Sequence, residues 1–343
     1  MKRKRVTITQ VAQAAGVSPA TVSFAFNNPE QVGPGTAQRV RQIAQQLGYS
    51  PNPIARAMIS RRTGVIGMLV PFSIASSFAN PFFMTFMQGV GSVCDAHSIS
   101  VLVVSPYKGS LEEATRRAPV DAYIVLGLSE NHEELEPLRR REVPFVVVDG
   151  DTQTRSSINI DDEAGAYAAA AYLLRAGHRD ILIITFQNLP PENQEDVHYG
   201  VGGRRLAGYR RAFTEFGIAL PADHLIPSMT NIEGSEEAFR RALAAGMRPT
   251  AVLTMSDVHA IGAVREAQRF GMRVPQDLEV IGFDDIPLAG LVSPALSTVH
   301  QPIQEKGERA AELLIEALEE IRPPMNLRME TELILRGTTR PVI

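Results

Sequence analysis

The chain has 343 residues. Because this is longer than a domain with a single hydrophobic core usually is, we expect two or three domains. Hydrophobic residues make up 44% and charged residues 21%, a composition typical of globular proteins. The single cysteine, Cys94, excludes an internal disulfide or a cysteine-based metal cluster and favours a cytoplasmic protein. We expect no membrane span, since no apolar run reaches about 18 residues. The basic residues at 2–5 precede no apolar stretch typical of a signal peptide.

The net charge of −4 conceals two regions of opposite sign. Residues 1–62 contain nine Lys or Arg against one acid, Glu30, a balance of +8. The remainder has 25 bases and 37 acids, a balance of −12. Neutralising DNA phosphates releases counterions and supplies most non-specific affinity, so the basic segment indicates phosphate binding. A solvated basic tail is the alternative.

Two short helices are predicted near the amino end. Apolar residues recur at helical spacing over 8–15 after Thr7, whose side chain can cap the first free backbone amides. Ser18 is the next cap, and Pro19 follows at the first helical position of a segment over 19–27. The join between them is three or four residues long and contains a glycine, as in a helix-turn-helix.

The second helix has an inner and an outer face. Val22 and Phe26 lie four residues apart, so both can pack against the first helix. The outer face, which can enter a DNA major groove, consists of Pro19, Ala20, Ser23, Phe24 and Asn27.

A third helix is predicted to start at Gly33 and Pro34 and to end at Gly48. Its apolar face is predicted to consist of Val40, Ile43 and Leu47. Three short helices around one small core could also form a protein-binding module, but the basic charge of residues 1–62 favours DNA.

Two stretches of this region have a distinctive sequence, VTITQVAQAAGVSPATVSFAFNN and QLGYSPNPIARAMISRRTGVIGMLVP. In both, the chain resembles the lactose-repressor (LacI) family of transcriptional regulators. The family positions that hold phosphates or neighbouring base edges are occupied here by Thr7, Ser18, Thr21, Ser23 and Asn27. The resemblance also implies a hinge helix that forms on operator DNA and contacts the minor groove through Asn52, Ala55 and Met58.

Two residues depart from the family pattern. Phe24 stands where many members have an arginine, and it cannot form the two hydrogen bonds to guanine that arginine forms. Met58 stands at the position of the apolar side chain that enters the minor groove, where leucine is usual. Its flexible side chain can still unstack a base step, although packing beneath the larger domain is the alternative.

From residue 64 onward, short apolar runs alternate with helical stretches. The runs are VIGMLVP, SVLVVS, DAYIVLGL, PFVVVD, ILIITF, TAVLTM and LEVIGFDD. They predict parallel strands covered on both faces, an open α/β architecture. The family resemblance implies a two-lobed, doubly wound fold of the type I periplasmic-binding-protein kind.

The expected organisation has three parts. These are a helix-turn-helix domain over 1–50, a hinge helix and linker over 51–63, and an effector-binding domain over 64–343. Lobe one is expected to contain about 64–162 and 303–330, and lobe two about 163–300 and 331–341.

Ligands of open α/β sheets bind beyond the carboxyl ends of the strands, so polar residues directly after the apolar runs are candidates. These are Asp149, Asp161, Asp257, Asp284 and Asp285. An acid in such a place is often only a helix cap or a loop residue.

The family resemblance indicates which of these polar residues contact the effector. In GRRLAGY, Arg205 stands where members have a ligand-contacting arginine, and in GFDD, Asp284 stands where they have a ligand-contacting aspartate. The two could bind hydroxyl groups of a sugar or nucleoside-like effector through charge-assisted hydrogen bonds, and an internal salt bridge is the alternative. The remaining predicted effector contacts are Phe82, Phe83, Asp161, Ser256, Asp257 and Gln301. Either phenylalanine could instead belong to the core, and the acidic stretch 186–203 is predicted to carry specificity.

An enzyme and a secreted solute-binding protein are the alternatives to a regulator. An enzyme on an α/β fold would need motifs that are missing: a Walker loop, dinucleotide-binding glycine spacing, HExxH or GxSxG. We therefore expect no catalysis, no cofactor and no metal. A secreted solute-binding protein would share the body fold but has no use for a basic helical region.

These features predict a ligand-responsive transcriptional regulator, and a repressor in particular. Its expected partners are double-stranded operator DNA and a small-molecule effector, with no membrane. A homodimer is expected because two-fold proteins read palindromic operators. The tail, RGTTRPVI, lacks the heptad extension that would predict a tetramer.

Overall fold

The protein is described here by a computed structural model that covers residues 6–52, 62–187 and 200–342. It divides into two compact units, Met1–Val65, called the head below, and Ile66–Ile343, called the body. No helix in the described ranges is long and apolar enough to cross a lipid bilayer. The predicted fold class, a helical head with a two-lobed α/β body, is confirmed.

The head contains three helices, α1 (Ile8–Ala15), α2 (Pro19–Asn27) and α3 (Pro34–Leu47). Thr7 caps α1 in a reciprocal capping box with Gln10, and Ser18 caps α2. Gly16 and Gly48 end α1 and α3 in the left-handed conformation, with φ of 63° and 69°. Local capping therefore fixes the starts of α1 and α2 and the ends of α1 and α3.

The core of the head is built from small side chains. They are Val11, Ala12, Ala15, Val22, Ala25, Ala37, Val40 and Ala44. Phe26 packs beside this core against Tyr49, with ring centroids 6.0 Å apart. The prediction that Leu47 belongs to the core is wrong: it is 41% exposed, because the buried face of α3 runs through the two alanines and Val40 instead.

Lobe one of the body is built on a six-stranded sheet with the order β11-β5-β4-β3-β1-β2. Its strands are β1 (Val65–Leu69), β2 (Ser100–Val104), β3 (Ala122–Leu126), β4 (Phe145–Val148), β5 (Ser157–Ile160) and β11 (Asn326–Met329). Most of them are buried on both faces, as continuous apolar runs predict for a covered sheet.

Lobe two is built on a second six-stranded sheet with the order β12-β10-β9-β8-β6-β7. Its strands are β6 (Ile181–Phe186), β7 (Leu225–Ser228), β8 (Ala251–Thr254), β9 (Glu279–Asp284), β10 (Ser297–His300) and β12 (Glu332–Ile334). Neighbouring strands are parallel except for the antiparallel pair β10 and β12. The carboxyl ends of the parallel strands therefore meet at one edge of the sheet.

Helices cover both sheets. They are α4 (Ile74–Ala79), α5 (Pro81–Ala96), α6 (Leu111–Arg117), α7 (Glu136–Arg140), α8 (Asp162–Arg175), α9 (Gly200–Glu215), α10 (Ile232–Ala244), α11 (Asp257–Arg269) and α12 (Ile303–Leu318). Two close helix contacts need glycine: a Cβ on Gly307 would collide with the backbone of Phe86, and one on Gly208 with the backbone of Glu163. They fix α12 against α5 and α9 against α8.

Candidate DNA-binding face and effector site

The outer face of α2 is largely as predicted. Its exposed residues are Pro19, Ala20, Phe24 and Asn27. Val22 and Ala25 are buried on the opposite side. Ser23 is half-buried, and its hydroxyl accepts a hydrogen bond from Nδ2 of Asn27 at 3.3 Å. The helix therefore presents a mixed face of small polar and apolar groups to solvent.

Two of the predicted phosphate-binding hydroxyls, those of Thr7 and Ser18, lie at helix starts. Oγ of Ser18 accepts from the backbone N of Thr21 at 3.1 Å and lies 2.9 Å from that residue's hydroxyl. Oγ1 of Thr7 accepts from the backbone N of Gln10 at 3.4 Å. Because the first backbone amides of a helix attract anions, capping and phosphate binding are compatible roles for these positions.

Of the three predicted minor-groove contacts, only Asn52 lies within the described residues. Asn52 is exposed. Ala55 and Met58 lie outside the described residues, so the hinge stays a prediction. The same holds for the acidic stretch after β6, of which residues 188–199 are outside the described ranges.

In the body, Arg205 lies at the centre of a buried ion-pair cluster. Its Nε donates to Oδ1 of Asp162 at 2.9 Å. Its Nη1 donates to the backbone O of Met255 at 2.5 Å and to Oδ1 of Asp284 at 3.4 Å. The guanidinium carbon lies 3.5 Å from the centre of the Phe283 ring, a cation–π contact. The internal salt bridge that the sequence left open is therefore present.

Asp284 connects this cluster to lobe one. Its Oδ1 accepts from Nε2 of Gln301 at 2.6 Å, and Oε1 of Gln301 accepts from Nζ of Lys306 at 2.8 Å. Lys306 also donates to Oδ1 of Asp149 at 2.6 Å. Asp149 follows β4 and Lys306 lies on α12, so these bonds join the two lobes. The series that runs from Asp162 through Arg205, Asp284, Gln301 and Lys306 to Asp149 is called the junction network below.

The junction network includes a strained backbone position and a second link between the lobes. Asp284 has a φ of 121°, which residues other than glycine rarely adopt and which clusters at functional sites. Arg204 on α9 donates from Nε to Oδ2 of Asp162 at 3.0 Å, and its Nη1 lies 3.8 Å from Oδ1 of Asp151 in lobe one. Two arginines of lobe two thus share the carboxylate of Asp162.

Burial and pairing set the electrostatics of the network. Burial raises the pKa of Asp284 to about 6, although Arg205, Gln301 and Lys306 act to lower it. Burial acts to lower the pKa of Arg205, but the charges of Asp162 and Asp284 outweigh it and the pKa is raised. Each buried charge is therefore stabilised by an opposite partner rather than by water.

Three predicted effector contacts have structural interactions of their own. Asp161 caps α8 and pairs with Arg328 at 2.8 Å. The carboxylate of Asp257 is fully buried and accepts from the hydroxyl of Thr298 at 2.5 Å. Ser256 caps α11. Asp161 and Ser256 match the helix-cap alternative, whereas Asp257 is buried and accepts from Thr298 and from the backbone N of Ile286. An effector role for the three stays a prediction.

The two phenylalanines of NPFF separate into different environments. Phe83 is buried in the core and contacts Phe78 edge-on, with ring centroids 5.5 Å apart. Phe82 is half-buried, and its ring centre lies 5.3 Å from Nζ of Lys306. The core alternative therefore holds for Phe83, and Phe82 is the one beside the junction network.

Sequence reasoning missed two members of the network, Asp162 and Lys306. Asp162 follows the predicted Asp161 directly and looks like an ordinary acid in the first turn of a helix, so only its three-dimensional pairing reveals it. Lys306 has a clearer signal in the sequence. It lies three residues after Ile303 and four before Ala310, so helical spacing places it on the apolar face of α12. A lysine in such a place is rarely buried unless it is paired.

Comparison with known proteins assigns the chain to a family. Residues 7–52 match the bacterial regulatory proteins of the lacI family, and residues 170–339 match the periplasmic binding protein-like domain. The HTH-type transcriptional repressor PurR of Vibrio campbellii is 32% identical over 346 residues, which cover 97% of this chain and 98% of PurR. The chain belongs to the lacI family of bacterial regulatory proteins. The predicted family and the predicted regulatory role are thereby confirmed.

Solved structures of the family give the same architecture. The transcriptional regulator CelR in complex with cellobiose is 28% identical, with a TM-score of 0.71 over 97% of this chain and 100% of CelR. The lac repressor dimer bound to operator and the anti-inducer ONPF is 24% identical, with a TM-score of 0.81 over 98% of this chain and 99% of that one. The fold of a DNA-binding regulator therefore extends over nearly the whole chain.

Proposed function

We propose that this lacI-family regulator is a repressor that binds a palindromic operator as a homodimer, and that a neutral, polyhydroxylated effector such as a sugar changes its affinity for that operator. The effector site is the junction network between the lobes. Residues 1–50 bind DNA, 51–63 form the hinge and 64–343 respond to the effector. The protein acts in the cytoplasm, by binding and without catalysis. The observation that carries the proposal is the continuous hydrogen bonding from Asp149 to Arg205.

The charges of the junction network favour an uncharged effector. Asp149 is matched by Lys306, Asp162 by Arg204 and Asp284 by Arg205. A charged effector would add an ion without a partner to a buried site, and unpaired buried charges are costly. A neutral molecule avoids that cost.

The unused atoms of the network favour hydroxyl groups. Within the described ranges, the bonds of Arg205 use Nε and Nη1, and those of Asp284 use Oδ1. Nη2 of Arg205, with two N–H groups, and Oδ2 of Asp284 therefore supply a donor group and an acceptor. A hydroxyl both donates and accepts, so two neighbouring hydroxyls can satisfy this pair. Phe82 supplies an apolar surface beside Lys306 of the same network. The cellobiose bound to CelR is a neutral molecule with such neighbouring hydroxyls.

A thermal-shift panel of neutral sugars, nucleosides and small organic acids tests the proposal. We expect a neutral sugar to raise the unfolding midpoint of the full-length protein. The shift should disappear in Asp284→Asn, which keeps the shape of the side chain. It should persist in Arg211→Ala, which removes an exposed arginine from the same helix, α9, where it pairs with Glu163. Stabilisation by acids alone, or equal stabilisation of Asp284→Asn, would refute the site.

A further inference from the structure

Phe24 occupies an unusual place for a large apolar side chain. It is 41% exposed on α2, whereas Val22 and Ala25 of the same helix are fully buried. The other phenylalanine of α2, Phe26, packs against Tyr49. A single exposed apolar residue is common on protein surfaces, but Phe24 lies in the middle of the face that the helix-turn-helix presents to DNA.

The rest of that face lacks the usual readers of guanine. Helix α2 has the sequence PATVSFAFN, which contains no Lys, Arg, Gln, Asp or Glu. The amide of Asn27 is bonded to the hydroxyl of Ser23. Ala20 lies one helical turn before Phe24, and both are exposed, so the two form an apolar strip along the helix.

Only one feature of the major groove matches an apolar strip. Every base edge there carries hydrogen-bond donors or acceptors, and thymine alone adds a methyl group, at C5. Any base pair opposite Phe24 would lose water from its polar edge without gaining a hydrogen bond, which costs free energy, and only a T·A pair offsets part of that cost through contact with its methyl group.

We propose that Phe24 is a specificity-determining residue that reads the methyl group of a thymine, so that each operator half-site carries a T·A pair at the position facing it. The inference rests on the proposed operator binding and adds the identity of a base to it. The basic charge of residues 1–62 provides the phosphate contacts that hold the helix in the groove.

The size of the effect follows from the burial of one methyl group. Removing a buried methyl group costs about 0.8 kcal/mol, and about 1.4 kcal/mol corresponds to a tenfold change in affinity. Replacing the thymine by uracil, which lacks only this methyl group, should therefore weaken binding about fourfold for one half-site. Replacing both symmetric thymines should weaken it more than tenfold.

The experiment begins with selection of operator sequences from random duplex DNA by the full-length protein. Each thymine of the selected site is then replaced by uracil, and affinity is measured for the wild type, Phe24→Ala and Leu47→Ala. Leu47 is the matched control, since it is also 41% exposed but lies on α3.

We expect one thymine in each half-site at which uracil weakens binding by the wild type and Leu47→Ala, with no such penalty in Phe24→Ala. A selected site at which no uracil weakens binding overturns the role of Phe24 while leaving operator binding intact. A penalty that persists in Phe24→Ala, or that is lost in Leu47→Ala, overturns it as well. If no sequence is enriched, the proposed operator binding fails and this inference fails with it.

Discussion

The DNA-binding face of the head and the junction network of the body are organised in opposite ways. The face of α2 is exposed, and its shape depends on caps and side chains within a few positions of one another. The junction network is buried and joins residues far apart in the chain, such as Asp149 and Lys306, which are separated by 157 positions. In the head, stability and recognition are therefore separable properties of different residues. In the junction network, by the function proposed above, the same side chains supply both.

The largest effect that tests this contrast is expected from Asp149→Ala. The substitution leaves the ammonium of Lys306 buried without a counter-ion, which should lower the free energy of unfolding by about 3–5 kcal/mol. Denaturant unfolding of the full-length protein measures it. The control is Glu113→Ala, which breaks an exposed pair with Arg116 and should have a far smaller effect. Equal effects of the two substitutions would mean that burial adds nothing to the pair.

A second effect, of pH, follows from the raised pKa of Asp284, about 6 against an ordinary value of 3.8. The folded protein holds this proton more tightly than the unfolded chain, so the contribution of Asp284 to stability is fully present below about pH 4. It is lost as the pH rises to about 6. Unfolding midpoints between pH 4 and 6 should fall more steeply for the wild type than for Asp284→Asn. Parallel slopes would contradict a raised pKa.

The smallest expected effects are changes in stability caused by substitutions on the two faces of α2, and they should differ between the buried and the exposed face. Val22→Ala opens a cavity in the small core of the head and should cost about 2 kcal/mol of its stability. Phe24→Ala should change stability by no more than about 0.5 kcal/mol, since Phe24 is exposed. Hydrogen exchange of the amides in 6–48 of the full-length protein compares the two. Faster exchange in Phe24→Ala than in Val22→Ala would place Phe24 in the core.

Sequence predicted the head more fully than the body because its determinants are local. Caps and apolar spacing placed α1 and α2 at their observed bounds, whereas Leu47 at the end of α3 was misassigned because its environment depends on tertiary packing. In the body, continuous apolar runs predicted the buried strands, but short and partly exposed strands such as β7 and β11 have no such run. Asp162 and Lys306 became recognisable only through their partners.

The proposed function requires the effector site and the DNA-binding face to be thermodynamically coupled. The most direct test measures, by calorimetry, the affinity of the full-length protein for a sugar found in the thermal-shift panel, with and without the selected operator. Linkage requires reciprocity, so we predict that operator changes sugar affinity by the same factor by which sugar changes operator affinity. Identical sugar affinities in the presence and absence of operator would contradict the coupling.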